Sequence, residues 1–235
     1  MLLLLPNVLS QELDHSPFIS KSVDEAIFSL KGIIAENEKN ARVYLKKFSF
    51  SEGRTFRDIP IKLLNEHTND KELSELACLI KEGGVWGLIS DCGLPCIADP
   101  GASLVAICAK HGVKIKTFAG PSSIVMALQL SGIYCQQFSF LGYLPKEEKE
   151  LIAKLKFIEK EALEKKVTFV FIEAPYRNDK LLKQLLANLS PKLRLCTACN
   201  LTLSTEFVKT QTVDEWRKGS IGSFDDMPTV FVVGK

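Results

Sequence analysis

Ser90-Asp91-Cys92-Gly93-Leu94-Pro95-Cys96-Ile97-Ala98-Asp99-Pro100-Gly101 is the stretch on which the fold reading turns. The apolar run at residues 85–89 precedes it and a helical pattern at 102–110 follows, so it joins a buried strand to a helix. Gly93 and Gly101 permit positive φ or close backbone approach, and Pro95 and Pro100 stiffen the chain. Two readings fit: a preset cradle for a ligand, or a rigid turn into the helix.

Working outward, the same alternation recurs. Residues 1–5 form a short apolar run stopped by Pro6, the pattern of a strand buried on both faces. Ser20 precedes apolar residues at helical spacing (Val23, Ile27, Leu30), residues 32–35 read as a second buried strand, and a helix is expected through 44–47. A polar stretch leads to an amphipathic helix over 70–81, closed by Gly83 and Gly84, then the strand at 85–89. A helix at 102–110 and a strand at 113–118 complete units whose natural solution is a parallel sheet covered by helices.

Gly120 and Pro121 punctuate the chain, and the pattern restarts beyond them, which predicts an α/β domain over 1–119 and a second over 120–235. In the second, helices are expected at 122–130, 146–166 and 181–189, and strands at 138–141, 167–172, 194–199 and 229–233. The long helix carries Glu150/Lys154 and Glu161/Lys165 at supportive spacing.

Composition bounds the function. The 235 residues are 46% hydrophobic and 25% charged with a net charge of +2, which excludes a disordered tail or a bulk polyanion binder. The apolar start is far shorter than the roughly 20 residues of a membrane span and lacks the flanks of a signal peptide, so a cytoplasmic protein is expected. Seven cysteines, with Cys78, Cys108 and Cys135 inside apolar runs, read as reduced thiols packed as small hydrophobes. Cys196/Cys199 and Cys92/Cys96 invite a zinc reading, but residues three apart on a strand face opposite sides, and no metal is expected. His15, His67 and His111 are scattered and read as surface residues; Trp86 and Trp216 read as core anchors.

Ligands of open parallel sheets bind beyond the carboxyl ends of strands, so the loops at 6–13, 36–40, 91–101 and 173–177 are the places to search. There is no Gly-x-x-x-x-Gly-Lys-Ser/Thr phosphate loop, and Gly83, Gly84 and Gly87 precede or enter a strand, the wrong context for a dinucleotide fingerprint.

The 90–101 loop, Phe118-Ala119-Gly120-Pro121-Ser122-Ser123, Phe171-Ile172-Glu173-Ala174-Pro175-Tyr176-Arg177 and the ending Pro228-Thr229-Val230-Phe231-Val232-Val233-Gly234-Lys235 resemble the tetrapyrrole methylase superfamily. The likeness is strongest to its branch that methylates ribose 2'-hydroxyls of small-subunit ribosomal RNA. It implies a homodimeric, two-domain α/β methyltransferase with S-adenosylmethionine in a cleft between the domains. It also implies cofactor contacts from Pro6, Cys92, Gly93, Leu94, Ile97, Ser122, Ser123, Glu173, Leu201, Pro228 and Thr229. Two loops depart from the relatives' pattern. The first-strand loop Pro6-Asn7-Val8-Leu9-Ser10-Gln11 has no glycine, and Glu36-Asn37-Glu38-Lys39 replaces Glu-Asp-Thr-Arg.

For the acceptor, residues 39–57 carry six basic side chains (Lys39, Arg42, Lys46, Lys47, Arg54, Arg57) against Glu52. Lys39, Arg42 and Lys46 share a helical face that either meets RNA phosphates or is plain solvated surface. Glu36 is the candidate catalytic base or orienting group, against an ordinary acid at a helix start. Arg177 either anchors a phosphate or pairs with Glu173. A tetrapyrrole or other small-molecule acceptor, and an inactive RNA-binding module, are the competing functions.

Overall fold

The computed structural model describes residues 1–51, 53–220 and 222–235; Glu52 lies outside the described residues. The chain divides into two compact units, Met1–Ser122 and Ser123–Lys235.

The first unit runs β1 (Leu2–Leu4), α1 (Lys21–Phe28), β2 (Gly32–Ala35), α2 (Glu38–Leu45), β3 (Ile61–Leu63), α3 (Asp70–Lys81), β4 (Trp86–Leu88), α4 (Gly101–Lys110), β5 (Ile115–Thr117). Its sheet is wholly parallel, in the order β3-β2-β4-β1-β5. The continuous apolar runs follow from burial on both faces. Leu3, Leu5 and Ile33 pack with α1 and α2, whereas Leu2, Ile34 and Leu88 pack with α3 and α4, the two-residue period of a strand. Trp86 is buried in this core, its ring lying where a Gly32 side chain would stand.

Helix starts are set locally. Asn37 caps α2 by accepting from Asn40 N, so that helix begins well before the expected 44–47. Asn69 and Glu72 form a reciprocal capping box on α3. Ser20 precedes α1 without a side-chain cap.

The second unit runs α5 (Ser123–Ser131), β6 (Phe138–Tyr143), α6 (Glu148–Lys165), β7 (Thr168–Ile172), a 3-10 turn (Pro175–Arg177), α7 (Asn178–Asn188), β8 (Arg194–Cys199), β9 (Phe207–Thr212), α8 (Val213–Lys218) and β10 (Thr229–Gly234). The sheet order is β6-β7-β10-β8-β9; β6 and β7 are parallel, and β10 runs antiparallel to β7 and β8. Trp216 is buried and donates its indole N–H to Leu195 O at 2.9 Å. The Glu161–Lys165 pair forms at 3.0 Å, but Lys154 lies over the Phe157 ring instead of meeting Glu150.

Three elements go unread in the sequence. β3 and β9 are edge strands with exposed or half-exposed side chains, so neither carries an apolar run. The six-residue α8 is too short for periodicity, although its Thr212/Glu215 capping box was a readable start signal. Cys78 is corrected from packed to exposed, because it lies on the solvent side of α3. His15 is corrected from surface to half-buried, packed 4.4 Å from the Phe48 ring and 3.0 Å from Asp24.

Candidate functional site

In the first unit β1 lies beside β4, yet the chain leaves β1 toward β2 on one side and leaves β4 toward β5 on the other. That reversal is a topological switch point, and open α/β sheets place ligands beyond the carboxyl ends of the strands at such a point. The loops at this point are two of the four singled out in the sequence, those after β1 and β4, and they are stitched together. Asn7, 4% exposed, donates from Nδ2 to Ser90 O (3.1 Å) and Asp91 O (3.0 Å), and its Oδ1 accepts from Val8 N (2.9 Å). The main chain adds Asn7 N to Gly93 O at 2.7 Å. Sequence reading passes over Asn7; the available signal was a carboxamide directly after the strand-ending proline, in a loop with no glycine.

The 90–101 loop is pinned at its far end as well. Asp99 accepts from Cys96 N (2.8 Å) and Gly101 N (2.7 Å). Between the pins Gly93, Cys96 and Ala98 all have positive φ. For Cys96 and Ala98 that conformation costs roughly 1–2 kcal/mol each, so the hydrogen bonds hold a shape the free chain would leave. Behind the loop Gly120 allows a close approach: a Cβ there would lie 2.1 Å from Pro6 Cβ and 3.3 Å from Leu94 Cδ2. Pro6 and Gly93 are buried, Leu94 is half-buried, and Cys92 and Ile97 are exposed.

The electrostatics of this edge are acidic. Burial, then the neighbouring charges of Asp91 and Asp99, push the Glu36 carboxyl above its ordinary value. This is opposite to what helix-dipole stabilisation of an acid would produce. Asp99 is likewise raised by burial, against the pull of its two amide bonds. Although Cys92 is exposed as a residue, loss of water around its sulfur and then the charges of Asp91 and Glu36 raise its thiol, and burial with Asp99 pushes Cys96 up to about 11, so neither is an activated nucleophile at neutral pH.

In the second unit Glu173, Leu201, Pro228 and Thr229 also gather at one sheet edge. Glu173 follows β7, Leu201 follows β8, and the antiparallel β10 begins at Thr229, which pairs with Cys199. Asn178 is buried and donates to Phe224 O (3.0 Å), Met227 O (2.8 Å) and Thr229 Oγ1 (3.2 Å). Leu201 is flanked by Asn200 and Thr202, both with positive φ. Arg177 Nη2 lies 3.2 Å from Glu173 Oε2, with only 3% of the glutamate side chain exposed, so the ion pair of its two readings is present. Ser122 closes the first unit and Ser123 opens α5.

The basic stretch divides. Arg42 turns inward, donating from Nη1 to Phe56 O and Ile59 O at 2.8 Å each, which leaves less of its charge for an external anion than the shared helical face suggested. Lys47 donates to Gln11 O and Leu13 O, and Arg54 to Leu30 O. Lys39 and Lys46 are exposed, and Lys46 and Arg57 each approach the Phe56 ring at 5.3 Å. Among the described residues no three His, Cys, Asp or Glu side chains gather as a metal site, and no helix is long and apolar enough to cross a membrane.

Comparison with known proteins adds an independent line. The family model for tetrapyrrole (corrin/porphyrin) methylases matches residues 24–216. The ribosomal RNA small subunit methyltransferase I of Thermotoga maritima is 31% identical over 156 residues, 66% of this chain and 64% of that protein. Its counterpart in Leptospira borgpetersenii is 30% identical over 178 residues, 74% of this chain and 66% of that protein. The match thus spans less than two thirds of the length of each of these curated relatives. The crystal structure of the methyltransferase CobJ aligns with a TM-score of 0.65 at 15% identity, covering 100% of this chain and 93% of that one. Diphthine synthase gives 0.62 at 13% identity, covering 99% and 88%. At such identities the two structures speak for the fold alone.

Proposed function

The chain belongs to the tetrapyrrole (corrin/porphyrin) methylase family, and we propose that it is an S-adenosylmethionine-dependent methyltransferase acting on a ribose 2'-hydroxyl of small-subunit ribosomal RNA. The observation that carries the cofactor reading is the pinned pair of loops at the crossover of β1 and β4. They offer main-chain dipoles, carboxylates and apolar side chains, with none of the glycine-rich amide cradle a phosphate needs. That donor set suits an adenosyl sulfonium. Pro6, Cys92, Gly93, Leu94, Ile97 and Ser122 are the contacts proposed for it at this edge of the first unit; in the second unit Ser123, Glu173, Leu201, Pro228 and Thr229 are proposed as contacts from the family likeness alone. When bound, it supplies a methyl group on a cationic sulfur and carries its own leaving group, so the protein's task is to align the acceptor and exclude water.

Glu36 lies at this edge with a raised carboxyl, which brings its basicity nearer the working range of a general base. In this reading it accepts the proton of the hydroxyl or orients it. Lys39 and Lys46 lead away from Glu36 along and just beyond α2 and serve as phosphate contacts, with Arg57 beside them. The proposal includes a homodimer, supported by the exposed apolar Val125, Leu130, Phe138 and Tyr143, and a cytoplasmic setting, supported by seven cysteines without a disulfide.

Titration calorimetry with S-adenosylmethionine, followed by transfer of labelled methyl to ribosomal RNA from cells lacking the protein, tests both halves. Absent binding at millimolar cofactor removes the enzyme and leaves an RNA-binding module; binding with label on a tetrapyrrole and none on RNA replaces the acceptor. Lys39→Glu with Lys46→Glu is expected to lower the slope of log affinity against log salt by roughly 1.5–2. An unchanged slope makes the face ordinary surface.

A further inference from the structure

We propose that Asn7 is the positioning residue of the cofactor loop: its buried carboxamide holds the 90–101 loop in its ligand-receiving shape, a role that rests on the reading of this edge as the S-adenosylmethionine site. Asn7 precedes the stretch matched by the family model and belongs to a first-strand loop without glycine. A glycine-free loop cannot approach its neighbour by omitting a side chain, so the contact is made through one. Both N–H donors of the carboxamide are spent on the carbonyls of Ser90 and Asp91, and its oxygen on Val8 N. These bonds span 83 and 84 residues of sequence and fix Ser90 and Asp91, the second and third residues after β4, from which Cys92, Gly93 and Leu94 follow. Gly93 is tied to the same loop from both sides, its carbonyl accepting from Asn7 N at 2.7 Å and its amide donating to Val8 O at 3.4 Å.

The arrangement is fully satisfied, which separates it from incidental packing. Losing the carboxamide strands two carbonyls at the point where the loop leaves the sheet, while the left-handed Cys96 and Ala98 favour relaxation of the rest. The loop then samples other shapes, and ligand affinity falls through loss of the preset geometry, with no direct contact to the ligand removed.

The test compares wild type, Asn7→Ala and Ile80→Ala. Ile80 is buried near the end of α3, which leads into the amino end of β4, so its truncation lowers stability away from the loop. Calorimetry with S-adenosylmethionine is paired with amide hydrogen exchange over residues 91–101 in the unliganded protein. Asn7→Ala is expected to exchange faster there and to bind about tenfold or more weakly, whereas Ile80→Ala keeps wild-type affinity at a comparable loss of melting temperature. The proposal is overturned by unchanged exchange in Asn7→Ala, by unchanged affinity, or by an equal loss of affinity in Ile80→Ala. A wild-type protein that binds no S-adenosylmethionine overturns the reading of the site, and this role with it. In the other failures wild type binds normally, so the two are told apart.

Discussion

Gly120→Ala adds one methyl group, and the structure says where it goes. Gly120 lies outside the positive-φ glycines, so alanine meets no backbone penalty and the effect is purely one of space. The new Cβ would stand 2.1 Å from Pro6 Cβ, 2.9 Å from Pro6 Cγ and 3.3 Å from Leu94 Cδ2. Carbon atoms rest at about 3.5–4.0 Å, so the loop after β5 and the loop after β1 must part by roughly 1.5 Å. Pro6 cannot yield by changing rotamer, because its ring is closed on the backbone. Overpacking of this kind costs about 1–3 kcal/mol, which for a unit of this size lowers the melting temperature by roughly 4–10 °C. The same displacement moves Pro6 and Leu94, two proposed cofactor contacts, and a shift of about 1 Å is enough to cost about a hundredfold in a reaction that depends on alignment. Thermal unfolding and cofactor titration read the two effects separately. Gly112→Ala is the control, since Gly112 has φ +71° and nothing within 4 Å of its added Cβ. It should lose about 1 kcal/mol of stability and no affinity. A Gly120→Ala protein that melts within a degree of wild type, or binds cofactor as tightly, would refute the reasoning.

Arg177→Met leaves the Glu173 carboxylate, 3% exposed, without its partner at 3.2 Å, and should destabilise the second unit by about 3–5 kcal/mol; adding Glu173→Gln should recover much of that, and a single variant as stable as wild type sinks the argument. For Glu36 the raised folded-state value means that its contribution to stability is complete at low pH and is lost as pH rises through that value. Glu36→Gln should therefore gain stability over wild type progressively as pH rises above the ordinary glutamate value of about 4.3 in denaturant titrations, while losing methyl transfer if Glu36 is the base. A stability difference that is flat or reversed above that value contradicts the assignment.

How much of this was legible depended on the range of the interaction. The apolar runs that became β1, β2, β4, β7, β8 and β10 are read directly, because burial on both faces leaves its mark residue by residue. β3 and β9 leave no such mark, since an edge strand needs only one good face. The 90–101 loop stood out through its glycines and prolines, but the pins at Asp99 and Asn7 did not, and the bonds of Asn7 reach partners 83 and 84 residues away. Charge was the least legible quantity. Arg42, Lys47 and Arg54 count as basic surface in the sequence and spend their donors on main-chain carbonyls in the fold.

That last contrast bears on the ligand. At the first unit's edge that gathers proposed contacts, the main-chain carbonyls of Ser90 and Asp91 are held by a neutral carboxamide, Asn7. Elsewhere in the first unit the same task falls to Arg42, Lys47 and Arg54. A charged donor is the stronger clamp by about 1 kcal/mol per bond. Beside a cationic ligand the balance reverses: a positive charge about 8 Å from a sulfonium costs roughly 2 kcal/mol at an effective dielectric constant near 20. Glu36 and Asp91 bring negative charge to the same edge. A site for a phosphate would favour the opposite choice at each of these positions. A neutral clamp at Asn7 fits the sulfonium donor proposed above, and replacing Asn7 with lysine should weaken cofactor binding more than replacing it with alanine.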